Sequence, residues 1–350
     1  MNCCSKCFKS PHLKDKINRN RSFGNCDFCG SINTNIIDPR ELYYSFRSIF
    51  DLYVISENGK QAPQQIEQDF SGLIFSMPEY EIIDQLLKAI FANDLQTYGD
   101  YLNNKIILSC NENPQYTKEV HSLQLTWENF VNEIKSINRF HITSVFDFEK
   151  LEYLLKINST KLPKGKIFYR GRISDAKGFP KEQMGSPPNH LAKSGRANPV
   201  GISYLYIAND LTTTLFETRA ALHDYISVGE FRLKEDILII DLKEIGNQDP
   251  FDLAQNELLE DYLAYLPFLK RLGYELSKPI RRQDSELDYL PTQYLTEFIK
   301  SIKSNGVAYG SSLNKVGQNL AIFDPEKFEC IKVNVYEIMD ITFNHQLVEK

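Results

Sequence analysis

Apolar residues recur along this chain with two different periods, and the change falls near Pro163. From about residue 39 to 157 they return at three- and four-residue intervals. That spacing predicts helices over Glu41–Val54, Glu79–Phe91, Thr117–Ile137 and Asp147–Ile157. Pro78 stands directly before Glu79, which puts a proline ahead of an acidic first turn. Polar stretches such as Asn111-Glu112-Asn113-Pro114 separate the runs. After Pro163 short extended runs take over. Lys166–Arg170, Gly201–Ala208, Ser227–Leu233, Asp236–Leu242, Val307–Tyr309, Gln318–Phe323 and Phe328–Thr342 read as strands. Helices fall among them at Asp210–His223, Gln255–Lys270 and Thr292–Lys303, with Asp210 as an N-cap. The strands come in pairs rather than in strict βαβ alternation, so the class is α+β.

The chain has 350 residues, enough for two to three domains of ordinary size. With 42% apolar, 12% aromatic and 25% charged residues it matches soluble globular chains and excludes disordered, collagen-like and coiled-coil proteins. No run approaches the roughly 18 apolar residues of a spanning helix. The N-terminus lacks the apolar centre of a signal peptide, so a cytoplasmic location is expected. The net charge of −6 argues against wrapping nucleic acid by phosphate neutralisation. The charge is uneven, however: residues 1–30 hold Lys6, Lys9, Lys14, Lys16, Arg19 and Arg21 against Asp15 and Asp27.

Five of the seven cysteines lie within the first 29 residues. Cys4-Ser5-Lys6-Cys7 and Cys26-Asp27-Phe28-Cys29 form two knuckles 18 residues apart, a spacing suited to four thiolates on one zinc ion. Cys3 is an alternative to Cys4 as ligand. The expected role of the zinc is structural, since so short a segment with few apolar residues needs a staple. The basic residues leave open a weak nucleic-acid contact there. Cys110 and Cys330 stand alone.

In the C-terminal half, Arg196 lies in a Gly/Asn/Pro loop, Tyr204 and Tyr206 are two apart in a predicted strand, and Glu217 sits in the helix after it. By periodicity alone Leu211, Leu215 and Leu222 make the apolar stripe of that helix and Glu217 points away from it. The plain readings are a loop charge, a core tyrosine pair and a solvated glutamate. Taken together these residues resemble something more specific. Arg196, Tyr206 ten residues on and Glu217 eleven further resemble the RES-domain family, named for its Arg, Glu and Ser. Ser311, in Val307-Ala-Tyr-Gly-Ser-Ser312, is the match for the third residue, with Ser312 adjacent and Gly310 where the family has Pro. Tyr169-Arg170 resembles the family's first-strand pair, with Arg172 a neighbouring alternative. The stretch from Glu217 to Ser311 is longer than in compact members, with Lys278-Pro-Ile-Arg-Arg282 and Tyr289-Leu-Pro-Thr-Gln-Tyr294 as extra elements. The front half looks like a zinc-bearing HEPN-like domain. The Arg–His pair of HEPN ribonucleases is missing: Arg139 and His141 are too close, and Arg219 and His223 lie elsewhere.

The resemblance implies three parts: a Cys4 zinc ribbon over 1–38, a helical HEPN-like domain over 39–160, and a mixed α/β RES domain over 163–337 resembling the ADP-ribosyltransferase fold. It implies NAD+ as substrate, cleaved between nicotinamide and ribose. Arg196, Tyr206, Glu217 and Ser311 would be catalytic, and Tyr169, Arg170, Arg196, Tyr204 and Tyr206 would bind NAD+. Water or phosphate as acceptor makes the enzyme a glycohydrolase or phosphorylase, and a protein acceptor makes it a mono-ADP-ribosyltransferase. An antitoxin protein is the implied partner, and a homo-oligomer is compatible with it. The competing reading is a non-catalytic zinc-ribbon module binding nucleic acid or a partner.

Overall fold

In this computed structural model, residues 1–112, 127–141, 148–278 and 286–342 are described. The predicted helix Thr117–Ile137 and the stretches Asn111–Pro114, Asp147 and Lys278–Arg282 therefore fall partly or wholly outside the described residues. Contacts divide the described chain into two compact units, residues 1–112 with Gly246–Phe268 and residues 127–245 with 269–342.

In the first unit the cysteine knuckles sit on three short strands, Cys3–Cys4 (β1), Ser22–Gly24 (β2) and Thr34–Ile37 (β3), in the order β1-β3-β2, with the helix Pro11–Arg19 between the first two in sequence. This ribbon does not stand alone. Phe8, next to Cys7, is fully buried with its ring 6.2 Å from that of Phe46 and 5.9 Å from that of Phe75. The Ser76 amide donates to the Cys7 carbonyl. The helices Tyr43–Phe50, Ala62–Asp69, Tyr80–Ile90 and Leu95–Asn103 follow. The helix expected over Glu41–Val54 stops at Phe50, because Tyr53–Gln61 (β4) is a strand paired antiparallel with Lys105–Leu108 (β5). Nothing in Ser56-Glu-Asn-Gly-Lys-Gln61 alternates, so this strand has no periodic signature. Residues of the chain's later half also pack here. Asp249 accepts hydrogen bonds from the Ser10 hydroxyl and the His12 amide, and Phe251 meets Phe46 at 5.2 Å. The helix expected over Gln255–Lys270 is in fact two, Pro250–Gln255 and Leu259–Ser277.

The second unit is built on one eight-stranded sheet: Ser159–Leu162 (β6), Ile167–Ser174 (β7), Leu205–Ala208 (β8), Tyr225–Leu233 (β9), Ile237–Asp241 (β10), Gly306–Gly310 (β11), Gln318–Ile322 (β12) and Phe328–Glu337 (β13). Their order is β13-β9-β7-β8-β12-β11-β10-β6, antiparallel except for the β10–β11 pair. The mixed α/β class expected from the sequence is what the chain adopts. Phe168, Leu205, Ile207, Ile239, Leu320 and Ile322 share one core. The alternate residues Tyr169, Gly171, Tyr206, Ala208 and Asn319 must then face the other side of the sheet. β7 pairs with β9 along its whole length and β8 with β12 at four positions, whereas β7 and β8 meet only at Tyr169–Ala208. The sheet is open at its middle.

The helix beside this seam, Leu211–Thr218, starts where expected, with the Asp210 carboxylate accepting from the Thr213 amide at 2.8 Å. It ends at Thr218 rather than at His223, because Arg219 turns left-handed at φ 51°. The leucine stripe is not its buried face. Thr213 and Thr214 are buried, while Leu222 is 50% exposed. The reason is Gly171: a Cβ there would lie 2.7 Å from the Thr218 methyl and 3.1 Å from that of Thr214. The bare backbone admits threonine methyls and turns the helix so that Glu217 faces the seam. β8 is also shorter than the expected Gly201–Ala208, and β6 carried no sequence signal. No helix among the described residues is long and apolar enough to cross a membrane. Gly171→Val should force this helix off the sheet. We expect a loss of about 1–3 kcal/mol of stability, read as a lower midpoint in urea unfolding.

Candidate active site

Arg170 occupies the open seam. Its Nη1 donates to the Tyr206 carbonyl at 3.2 Å, and its Nε is buried without an acceptor. Burial, reinforced by the charge of Arg172, pushes the guanidinium down to about 10; only the weaker influence of Tyr206 opposes this. No carboxylate among the described residues offsets that desolvation. A buried cation without a counter-ion is costly and invites an anion. Arg172, two residues on, lies over the Phe179 ring at 4.2 Å and donates to the Gln183 carbonyl.

Glu217 stands across the seam. Its Oε1 accepts from the Ser311 hydroxyl at 2.7 Å and from Asn319 Nδ2 at 2.6 Å, and neither bond uses Oε2. Ser311 also accepts from the amides of Leu313 and Asn314, so its oxygen caps the loop between β11 and β12. Of the two adjacent serines, Ser311 is the one that reaches Glu217. Tyr309 sits opposite Asn319 in the β11–β12 ladder. Burial pushes its phenol well up, with Tyr206 and Glu217 acting in the same direction and Arg196 against them.

A cavity of about 290 Å³ is lined by Tyr169, Arg170, Tyr206, Glu217, Tyr309 and Asn319 among others. A second, of about 580 Å³, shares Arg170 and Tyr206 and adds Arg172, Lys193 and Tyr204. Tyr206 thus borders both, and its hydroxyl donates to Asn198 Oδ1 at 2.6 Å. Arg196 lies on the loop before β8 with its guanidinium 5.3 Å from the Tyr289 ring centre. Tyr204 is placed differently. It precedes β8, is 2% exposed, donates to Glu297 and packs on Phe323 at 4.8 Å. The seam therefore gathers Arg170, Tyr206, Glu217 and Ser311, with Tyr169 in the wall and Arg196 acting on Tyr309. Tyr204 lines only the larger cavity. Tyr309, Asn319 and Asn198 were not expected. Strand alternation two residues before Ser311 was the available signal for Tyr309; Asn319 and Asn198 carried none.

In the first unit Cys4, Cys7, Cys26 and Cys29 hold all four sulfurs within 4.8 Å of one another. The Cys4–Cys29 and Cys7–Cys26 sulfurs are 3.4 Å apart and the Cys4–Cys7 pair 3.9 Å. A zinc–sulfur distance of about 2.3 Å gives tetrahedral edges of about 3.8 Å, so the set fits zinc. Cys3 is buried but lies outside the set.

Residues 171–344 match the RES domain family, a span that begins one residue after Arg170. Among solved structures, the chain is similar to a chain of the M. tuberculosis MbcT–MbcA toxin–antitoxin complex. The two are 13% identical, the match covers 54% of this chain and 92% of that one, and the TM-score is 0.31. No curated protein matches the chain.

For the cysteine set we expect one zinc per chain by elemental analysis of the purified protein. Cys26→Ser should lose the metal and destabilise the first unit, since Phe8 is anchored beside Cys7. A metal-free protein that melts like the wild type would remove the assignment.

Proposed function

With residues 171–344 placing this chain in the RES-domain family, we propose that its C-terminal half cleaves the nicotinamide–ribose bond of NAD+. Water or inorganic phosphate is the acceptor, and the protein acts as the toxin of a toxin–antitoxin or defence system, neutralised by an antitoxin protein. The observation that carries this reading is Arg170: a desolvated cation with no carboxylate partner among the described residues, lining the same cavity as Glu217. A pyrophosphate supplies the missing counter-charge, and a guanidinium fork suits it better than an ammonium. The two cavities meet at Arg170 and Tyr206, so a dinucleotide can lie with its phosphates at the arginine and its two ends on either side.

Nicotinamide carries a positive charge while bound to ribose, and the faces of Tyr206 and Tyr309 can hold it by stacking and cation–π attraction. It leaves neutral, taking the bonding electrons, so departure needs no acid. The charge that develops is on the ribose, as in glycoside cleavage. Glu217 stabilises it and orients the incoming nucleophile through Oε2. Ser311 and Asn319 hold Oε1, which makes them positioning groups for that carboxylate. Ser311 is a poor nucleophile here, because no histidine among the described residues lines either cavity to activate it. Arg196 supports phosphate binding from the adjoining loop. In the first unit we assign zinc a structural role, holding the segment that inserts Phe8 into the core.

Purified protein incubated with NAD+, with and without phosphate, tests the proposal by mass spectrometry of the products. We expect nicotinamide release, with ADP-ribose formed in water and its phosphate adduct when phosphate is the acceptor. Glu217→Gln should slow release about 100- to 1,000-fold, equivalent to about 3–4 kcal/mol of barrier. Ser311→Ala, which loosens Oε1 and removes the cap of the β11–β12 loop, should cost about tenfold. No nicotinamide from the wild type under either condition overturns the reaction, and ADP-ribose found on protein instead identifies a transferase.

A further inference from the structure

The loop that carries Arg196 has almost no secondary structure of its own, yet its polar groups converge on two side chains. Asn198, 4% exposed, donates through Nδ2 to the carbonyls of Lys193, Pro199 and Ile202 at 2.8–3.1 Å, and its Oδ1 receives the Tyr206 hydroxyl. Gln293, 6% exposed, comes from the helix Leu290–Ser301. Its Nε2 lies 2.9 Å from Ser194 Oγ, 2.8 Å from the Gly195 carbonyl and 3.0 Å from the Asn198 carbonyl. An NH2 group has two protons, so three acceptors crowd one donor and the loop backbone is drawn onto it.

The same helix continues the pattern at four-residue steps, which keeps the contacts on one face. Tyr289, capping the helix, lies beneath the Arg196 guanidinium, Gln293 holds the loop carbonyls, and Glu297 receives the Tyr204 hydroxyl. One polar stripe of a helix thus runs along the chain from Ser194 to Tyr204. The opposite side is packed apolar: Phe130 and Phe148 meet Tyr294 at 5.1 and 6.3 Å, and Phe298 lies 5.3 Å from Phe148. The helix is therefore fixed from behind. The loop itself closes tightly. A Cβ on Gly195 would lie 2.7 Å from Asn198 Oδ1 and 3.0 Å from the Tyr206 hydroxyl.

We infer that the helix Leu290–Ser301 is a splint for the Arg196 loop, and that Gln293, with Asn198, is a positioning residue that presents Arg196 and Tyr206 to the phosphates of the substrate. The inference rests on the proposed reaction for what Arg196 binds, and goes beyond it in naming the residues that set its position. Gln293 comes from the long stretch between Glu217 and Ser311 and meets the Arg196 loop only in the folded chain.

Two variants separate the splint from general folding. Gln293→Met keeps length and removes the donor. Gly195→Ala opens the loop without altering the helix. Hydrogen exchange reads the loop directly, since the amides of Gly195, Gly201 and Ile202 are bonded within it. Both variants should exchange at least tenfold faster there, with the sheet amides of β9 unchanged. With NAD+, both should raise KM about tenfold and alter kcat little, because a loosened Arg196 weakens binding in ground and transition state alike. Glu217→Gln should do the reverse. Unchanged exchange in the loop of either folded variant overturns the splint, as does a fall in kcat with KM untouched. The exchange measurement needs no turnover. If the wild type releases no nicotinamide, the reaction falls while exchange still decides the splint.

Discussion

Most of the proposed site follows from one missing ladder. β7 and β8 are neighbours in an eight-stranded sheet but share a single pair, Tyr169–Ala208. Backbone groups that a ladder would satisfy need other partners, and Arg170 answers the Tyr206 carbonyl with its side chain. That places a guanidinium where a hydrogen-bonded strand edge would otherwise be, half-buried and without a carboxylate partner among the described residues. The gap also makes the cavity. A fully zipped sheet would have no cleft at its centre, and Glu217 would face a closed surface.

Around the gap, function is distributed by what each element can hold still. Strands place Tyr206, Tyr309 and Asn319, whose directions are set by the pleat. The short helix after β8 places Glu217, and its rotation depends on Gly171 admitting threonine methyls. The β11–β12 loop places Ser311, which stiffens its own turn while gripping Glu217. The longer Arg196 loop also lacks regular structure, and it is bonded by side chains from a separate helix. The site combines rigid carboxylate support with a cation loop whose geometry is set from behind. The chain's net charge of −6 does not oppose the proposed anion binding, because the Arg170 cation is local and poorly solvated.

Several residues were legible because their signal is local. Two Cys-x-x-Cys knuckles need only four thiolates and a spacing, and the four sulfurs do converge. Asp210 caps the next helix because capping depends on neighbours two and three residues away. The strands Ser227–Leu233 and Asp236–Leu242 were readable from short β-rich runs, and they appear as Tyr225–Leu233 and Ile237–Asp241. Other features had no such signal. Strand β4 is polar and mostly exposed over its second half, so no alternation marks it. The leucines of the Glu217 helix gave a stripe that burial does not follow, because its packing partner is a glycine on a distant strand. Gln293 reads as an ordinary polar helix residue until the loop it holds is folded onto it.

The sequence by itself determined the paired cysteine knuckles, the change from helical to extended period, and the Arg, Tyr, Glu and Ser whose spacing resembles the RES-domain family. These rest on residue type and short spacing, which chain order preserves. The tertiary structure alone decided that residues 246–268 pack with the N-terminal segment, that Arg170 rather than a strand partner fills the seam, and that Ser311 grips Glu217. Each of those depends on groups far apart in sequence meeting across a sheet or a turn. Which backbone atoms go unpaired, and which side chain answers them, is settled only when all the strands are in place.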